Sequence, residues 1–128
     1  MKIGSPKEQF DGENRVAMTP ASAKDLQKLG YDCVIESGAG AAAGFSDKMY
    51  KDAGVEVVKT GTALFKAADI IAKVRPPSDV EAKRLRGDQT LISFFYPAQN
   101  DKLMAAVNAK GATAIAMDMV PRISRAQK

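Results

Sequence analysis

Apolar positions along the 128-residue chain fall into short continuous runs separated by longer segments of mixed polarity. Runs of this length, rich in Val and Ile, predict strands at Met1–Ser5, Asp32–Glu36, Val55–Val58, Asp69–Val74, Thr90–Phe95 and Thr113–Met119. The segments between them carry helix signals. Thr19 is a good N-cap and Pro20 a good first helical residue, and Ala23, Leu26 and Leu29 recur at helical spacing before Gly30 stops the run. Ser46 caps a second helix that ends near Gly54, and a third is predicted over Thr62–Ala68. Ser78 opens a fourth reaching Arg86, and Asn100–Lys110 forms a fifth, closed by Gly111. The strand ending at Val74 halts before Pro76-Pro77, which have no ladder donor.

Strands separated by one helix each imply crossover connections and a parallel sheet buried on both faces. The predicted fold class is therefore α/β: a three-layer Rossmann-like or flavodoxin-like parallel sheet with helices on both faces, one domain over residues 1–128. Composition adds exclusions more than assignments. A net charge of +4 with Lys and Arg scattered among acids gives no basic cluster, so nucleic acid is not an expected partner. The single cysteine, Cys33, lies in the apolar run Cys33-Val34-Ile35 and reads as a small buried hydrophobe. With no histidine in the chain, Cys33 lacks a base to activate it, and zinc sites of the usual Cys/His type are excluded; no metal is expected. No signal pattern opens the chain and no apolar run approaches membrane-spanning length, which reads as a soluble domain of a reducing compartment.

Three stretches hold candidate chemistry. Gly38-Ala39-Gly40-Ala41-Ala42-Ala43 fits a G-x-G-x-x-G/A dinucleotide fingerprint after a strand, but the next helix begins only at Ser46. The acidic residue that should follow about 20 positions on is also misplaced. A tight glycine turn packed under a neighbour is the better reading. Arg15, after the first strand, and Lys73, at the tail of the fourth, lie where open α/β sheets bind ligands. Two cations there hold a carboxylate or phosphate, or else are solvated surface charges. The terminal stretch Pro121–Gln127 carries Arg122, Ser124, Arg125 and Gln127, a set of directed hydrogen-bonding groups.

Taken together these stretches resemble the alanine dehydrogenase/transhydrogenase N-terminal family along the whole chain. The resemblance rests on Lys2-Ile3-Gly4-Ser5-Pro6-Lys7-Glu8, Glu13-Asn14-Arg15-Val16-Ala17-Met18-Thr19-Pro20, Glu36-Ser37-Gly38-Ala39-Gly40 and Lys73-Val74 with Pro77. Phe94-Phe95-Tyr96-Pro97-Ala98-Gln99-Asn100 and Pro121–Gln127 are similar to the transhydrogenase branch. Alanine dehydrogenases carry a substrate-binding histidine near the position of Tyr96, and this chain has none.

The resemblance implies an oxidoreductase that moves hydride between NAD(H) and NADP(H), coupled to proton translocation. NAD would be bound mainly by a Rossmann domain beyond Lys128, and NADP by a partner subunit. Arg122, Ile123, Ser124, Arg125 and Gln127 would reach the nicotinamide end of NAD, while Arg15 and Lys73 would line the cleft without a keto-acid substrate. No catalytic residue is expected within these 128 residues, and by themselves they are expected to be inactive. Expected partners are the NADP-binding domain, a membrane portion and a second α subunit in a homodimer, on the cytoplasmic side of a bacterial inner membrane. Two alternatives remain: an amino-acid oxidoreductase of the alanine dehydrogenase type, and a free-standing non-catalytic binding module.

Overall fold

The computed structural model of the chain describes residues 1–93 and 101–117, without the side chains of 101–104 and 116. Six strands, β1 (Lys2–Ser5), β2 (Asp32–Glu36), β3 (Glu56–Val58), β4 (Ile70–Ala72), β5 (Thr90–Ser93) and β6 (Thr113–Ala116), form one sheet in the order β3-β2-β1-β4-β5-β6. Every pairing is parallel. This is the strand order of the Rossmann-type doubly wound sheet. The helices are α1 (Pro20–Lys28), α2 (Asp47–Asp52), α3 (Gly61–Ala67), α4 (Asp79–Arg84) and α5 (Asp101–Ala109).

Helix boundaries follow the capping chemistry. Thr19, Ser46, Thr60 and Ser78 each accept a backbone N–H of the first turn, and Thr19 and Ser78 close reciprocal capping boxes with Ser22 and Glu81. Thr60, not Thr62, is therefore the residue that opens α3. α4 ends at Arg84, two residues before the predicted Arg86, because Leu85 turns extended at φ −67°, ψ 144°. Arg86 then reaches back to the carbonyls of Phe65, Lys66 and Ala68, the orphan acceptors at the end of α3. Buried Gln89 donates to the carbonyls of Phe65 and Ala68 as well. The predicted extensions of β5 to Phe95 and of β6 to Met119 fall partly on residues outside the described set, as does the start of α5 at Asn100.

Two cores result. On one face Val34, Leu64, Phe65, Ile71, Leu91 and Val107 pack beneath α3, α4 and α5. On the other, Ile3, Cys33, Ile35, Tyr50 and Val55 pack beneath α1 and α2. Full burial of such side chains stabilises by roughly 1.5–3 kcal/mol each. Among the described residues the second core reaches Ile70 of β4, and Ile115 and Met117 are 41% and 46% exposed. Cys33 is buried, its Sγ donating to the Ala23 carbonyl at 3.7 Å, and burial raises its thiol pKa.

α3 packs tightly against β1 at Gly4. A Cβ there would stand 2.8 Å from Ala68 Cβ, which is fixed to the backbone, 2.9 Å from Val34 Cγ1 and 3.0 Å from Leu64 Cδ2. Gly4→Ala should therefore push α3 off β1 and cost about 1–3 kcal/mol, read as a lower urea midpoint at unchanged m-value. An unchanged midpoint would mean that the packing is looser than these distances.

Candidate functional site

The chain runs outward from β1 to β3 and then returns to β4, on the other side of β1. Loops leaving β1 and β4 consequently diverge, opening a crevice at the carboxyl ends of the strands, where α/β sheets bind ligands. One wall is the loop of residues 6–19 and the other is residues 73–78. The loop of 6–19 holds no helix or strand, a length that in compact domains usually signals function.

Two carboxylates of the loop, Glu8 and Glu13, join the two walls, and Glu8 makes more of the bonds. Glu8 accepts from the backbone N–H of Val74 at 2.8 Å and of Arg75 at 3.1 Å, and from Lys73 Nζ at 3.1 Å. These backbone donors leave the sheet for Glu8, which is why β4 ends at Ala72 and not at the predicted Val74. Lys73 Nζ also lies 3.5 Å from Glu81, whose carboxylate caps α4 through the Ser78 N–H. All three side chains are buried, at 1% to 3% exposure. Lys73 lines a cavity of about 280 Å³ with Phe10, Arg75, Pro77 and Glu81, yet its charge is committed to internal acids.

Arg15 has a different setting. Its guanidinium forks onto Glu13 at 2.8 and 2.9 Å, its side chain is 64% exposed, and it lines a second cavity of about 180 Å³ with Asn14, Gly38 and Ala39. The structure thus brings Arg15 and Lys73 to the same crevice but not to the same atoms, with Glu8 and Glu13 between them. Arg75 is the cation that sequence reasoning missed. It donates to Glu13 at 2.8 Å, and its guanidinium carbon stands 4.2 Å from the centre of the Phe10 ring, at 29% side-chain exposure. The signal was its position: two residues past Lys73 in the exit from β4, directly before Pro76-Pro77.

Glu13 is held well below the usual carboxylate range. The Arg15 side chain is the leading cause, followed by its backbone N–H; desolvation opposes these, and Arg75 reinforces them.

The glycine turn after β2 is built for packing. Gly38 N–H donates to Asp47 at 2.9 Å, an acid placed where a phosphate would have to sit. The Gly38 N–H and the Ser37 hydroxyl keep the Asp47 pKa low. A Cβ on Gly40 would stand 2.6 Å from the Tyr50 ring and hydroxyl. Tyr50 is itself buried and donates to the Met18 carbonyl at 2.7 Å, its pKa pushed up to about 12 by burial and by the Asp47 charge. A short 3₁₀ turn, Ala41–Ala43, intervenes before α2. The turn also follows β2, whereas the dinucleotide fingerprint belongs after the first strand of this order.

Arg122, Ile123, Ser124, Arg125, Gln127 and Tyr96 lie outside the described residues. Among the described residues no cluster of His, Cys, Asp and Glu could hold a metal, and no helix is long and apolar enough to cross a membrane.

Fold and crevice together define an open Rossmann-ordered α/β module with a cleft at its strand-order reversal. The chain belongs to the family described as alanine dehydrogenase/PNT, N-terminal domain, whose model matches residues 4–128. It is 66% identical over 128 residues to the NAD(P) transhydrogenase subunit alpha of Cereibacter sphaeroides, covering 100% of this chain and 24% of that protein. The crystal structure of transhydrogenase from Sinorhizobium meliloti superposes with a TM-score of 0.92 at 38% identity, over 99% of this chain and 38% of that one. An L-alanine dehydrogenase structure gives 0.86 at 34% identity, over 91% and 32%. The chain thus spans well under half the length of these relatives.

Because the Glu13 pKa is depressed in the native state, the unfolded chain binds more protons near pH 4. The stability that Glu13 confers is present above its unfolded pKa, near 4.5, and is lost as pH falls from there through the native value. Urea midpoints measured from pH 7 to pH 3 should fall more steeply for the natural chain than for Glu13→Gln. Parallel curves would remove Glu13 from the acid response.

Proposed function

We propose that the chain is the N-terminal module of the NAD(H)-binding subunit of a proton-translocating NAD(P) transhydrogenase. The observation that carries this reading is the 66% identity, along the whole chain, to a transhydrogenase alpha subunit. The alanine dehydrogenase likeness is lower, at 34% for the structure, and the chain lacks the histidine expected of a keto-acid site.

The described residues do not fit a whole dinucleotide. The glycine turn has its N–H on Asp47 and a tyrosine against Gly40, and the crevice cavities are about 180 and 280 Å³. Volumes of that size suit the nicotinamide end alone, so the rest of NAD is assigned to a Rossmann domain elsewhere in the full-length subunit. When bound, the cofactor supplies the hydride that passes to NADP on a partner domain. In this chain Arg122, Ile123, Ser124, Arg125 and Gln127 are assigned to the nicotinamide end, with Arg122 and Gln127 orienting the carboxamide, while Arg15, Lys73 and Arg75 shape the crevice wall. Homodimerisation of the subunit, docking on a membrane portion and a position on the cytoplasmic side of a bacterial inner membrane complete the proposal.

In the full-length subunit, Arg122→Ala and Gln127→Ala should slow hydride transfer more than they weaken nucleotide binding. A displacement of the reacting atoms by about 1 Å costs roughly a hundredfold in rate. Stopped-flow transfer from NADH to an NADP analogue, beside equilibrium titration, tests this. Unchanged rates with raised dissociation constants would refute the orienting role.

A further inference from the structure

The loop of residues 6–19 carries Glu13, Asn14 and Arg15 into the crevice. Near its start, Lys7 N–H donates to Glu36 at 2.9 Å; at its far end the Met18 carbonyl accepts from Tyr50 at 2.7 Å. Across the crevice, one attachment is Arg75, itself partly exposed, which pairs with Glu13 and stacks on Phe10. The other is Glu8, whose two oxygens take three donors from three consecutive residues, Lys73, Val74 and Arg75. Both oxygens lie in a buried, low-dielectric setting where such bonds are strong and directional.

The arrangement does more than add stability. By binding the N–H groups of Val74 and Arg75, Glu8 sets the path of the chain as it leaves β4. That path carries the Arg75 guanidinium to Phe10 and Glu13, which lie further along the loop that Glu8 itself begins. Glu81 meanwhile holds the Lys73 ammonium from α4, so the bolt is anchored on both sides.

We propose that Glu8 is the positioning residue of the crevice, fixing the loop that bears Arg15 against the exit of β4. Its functional consequence rests on the transhydrogenase reading above; its structural consequence does not, and the two are tested separately.

The 128-residue chain supplies the first test, limited trypsin cleavage of Glu8→Ala and Glu8→Gln mapped by mass spectrometry. Cleavage after Arg15 should accelerate at least tenfold in Glu8→Ala and less in Glu8→Gln, which keeps an oxygen for the backbone donors. Cleavage after Lys66, exposed on α3 and remote from the loop, should stay within twofold. No change after Arg15 would overturn the proposal. So would equal acceleration at both sites, since that marks global loosening. If Glu8→Ala does not fold, Glu8→Gln alone decides by the same comparison.

In the full-length subunit the expected effect is a transfer rate lowered about tenfold in Glu8→Gln and about a hundredfold in Glu8→Ala, with nucleotide dissociation constants within threefold. Wild-type rates in both variants would overturn the positioning role. Absence of transfer in the natural protein would instead sink the transhydrogenase reading and leave the cleavage result standing.

Discussion

The crevice depends on one buried carboxylate. Two loops leave the sheet where its strand order reverses, and nothing in the parallel ladder holds such loops together. Glu8 does so with three hydrogen bonds, and it draws Val74 and Arg75 out of the sheet to make them. Lys73 is the charge that makes a buried Glu8 tolerable, and Glu81 shares the neutralisation from α4. A buried pair broken on one side leaves an uncompensated charge, with a typical cost of 3–5 kcal/mol. The ends of β1, β4 and α4 are therefore coupled through these side chains.

The same economy of charge runs through the described part of the crevice. Three of the cations that reach it are each met by an acid of the chain itself: Lys73 by Glu8 and Glu81, Arg75 and Arg15 by Glu13. The glycine turn beside it follows the same rule, with Asp47 occupying the N–H that a phosphate would need. A Rossmann-ordered sheet here serves as a scaffold for two loops, and fold alone does not assign a binding function. Membership of the alanine dehydrogenase/PNT family agrees with that division, since its members are much longer than this module.

Much of the fold was legible in the sequence because its determinants are local. Thr19-Pro20, Ser46 and Ser78 announce helix starts, and Gly30 and Gly54 end helices at positive φ. Asp32–Glu36 was legible to the residue because both of its faces are covered and all its apolar positions are buried. The glycine turn was correctly read as packing, since its distance from the next helix was visible in the spacing. The errors arose where long-range contacts decide. Val74 looks like a strand residue, and only the presence of Glu8, 66 positions away, removes it from the ladder. Lys73 does line a crevice cavity, as expected, but nothing local reveals that two acids from other elements enclose it. Arg75 passed unremarked for the same reason: its role is defined by Phe10 and Glu13 across the crevice.

Lys73 is where the two readings of the crevice differ most sharply, as an enclosed structural charge or as an available cation. Reductive methylation of the folded chain, followed by peptide mapping, measures that availability directly. With its ammonium buried between Glu8 and Glu81, Lys73 should remain unmodified while the exposed Lys24 and Lys66 are fully dimethylated. Modification of Lys73 at the rate of those exposed lysines, in a chain still folded, would contradict the buried bolt at the base of the crevice.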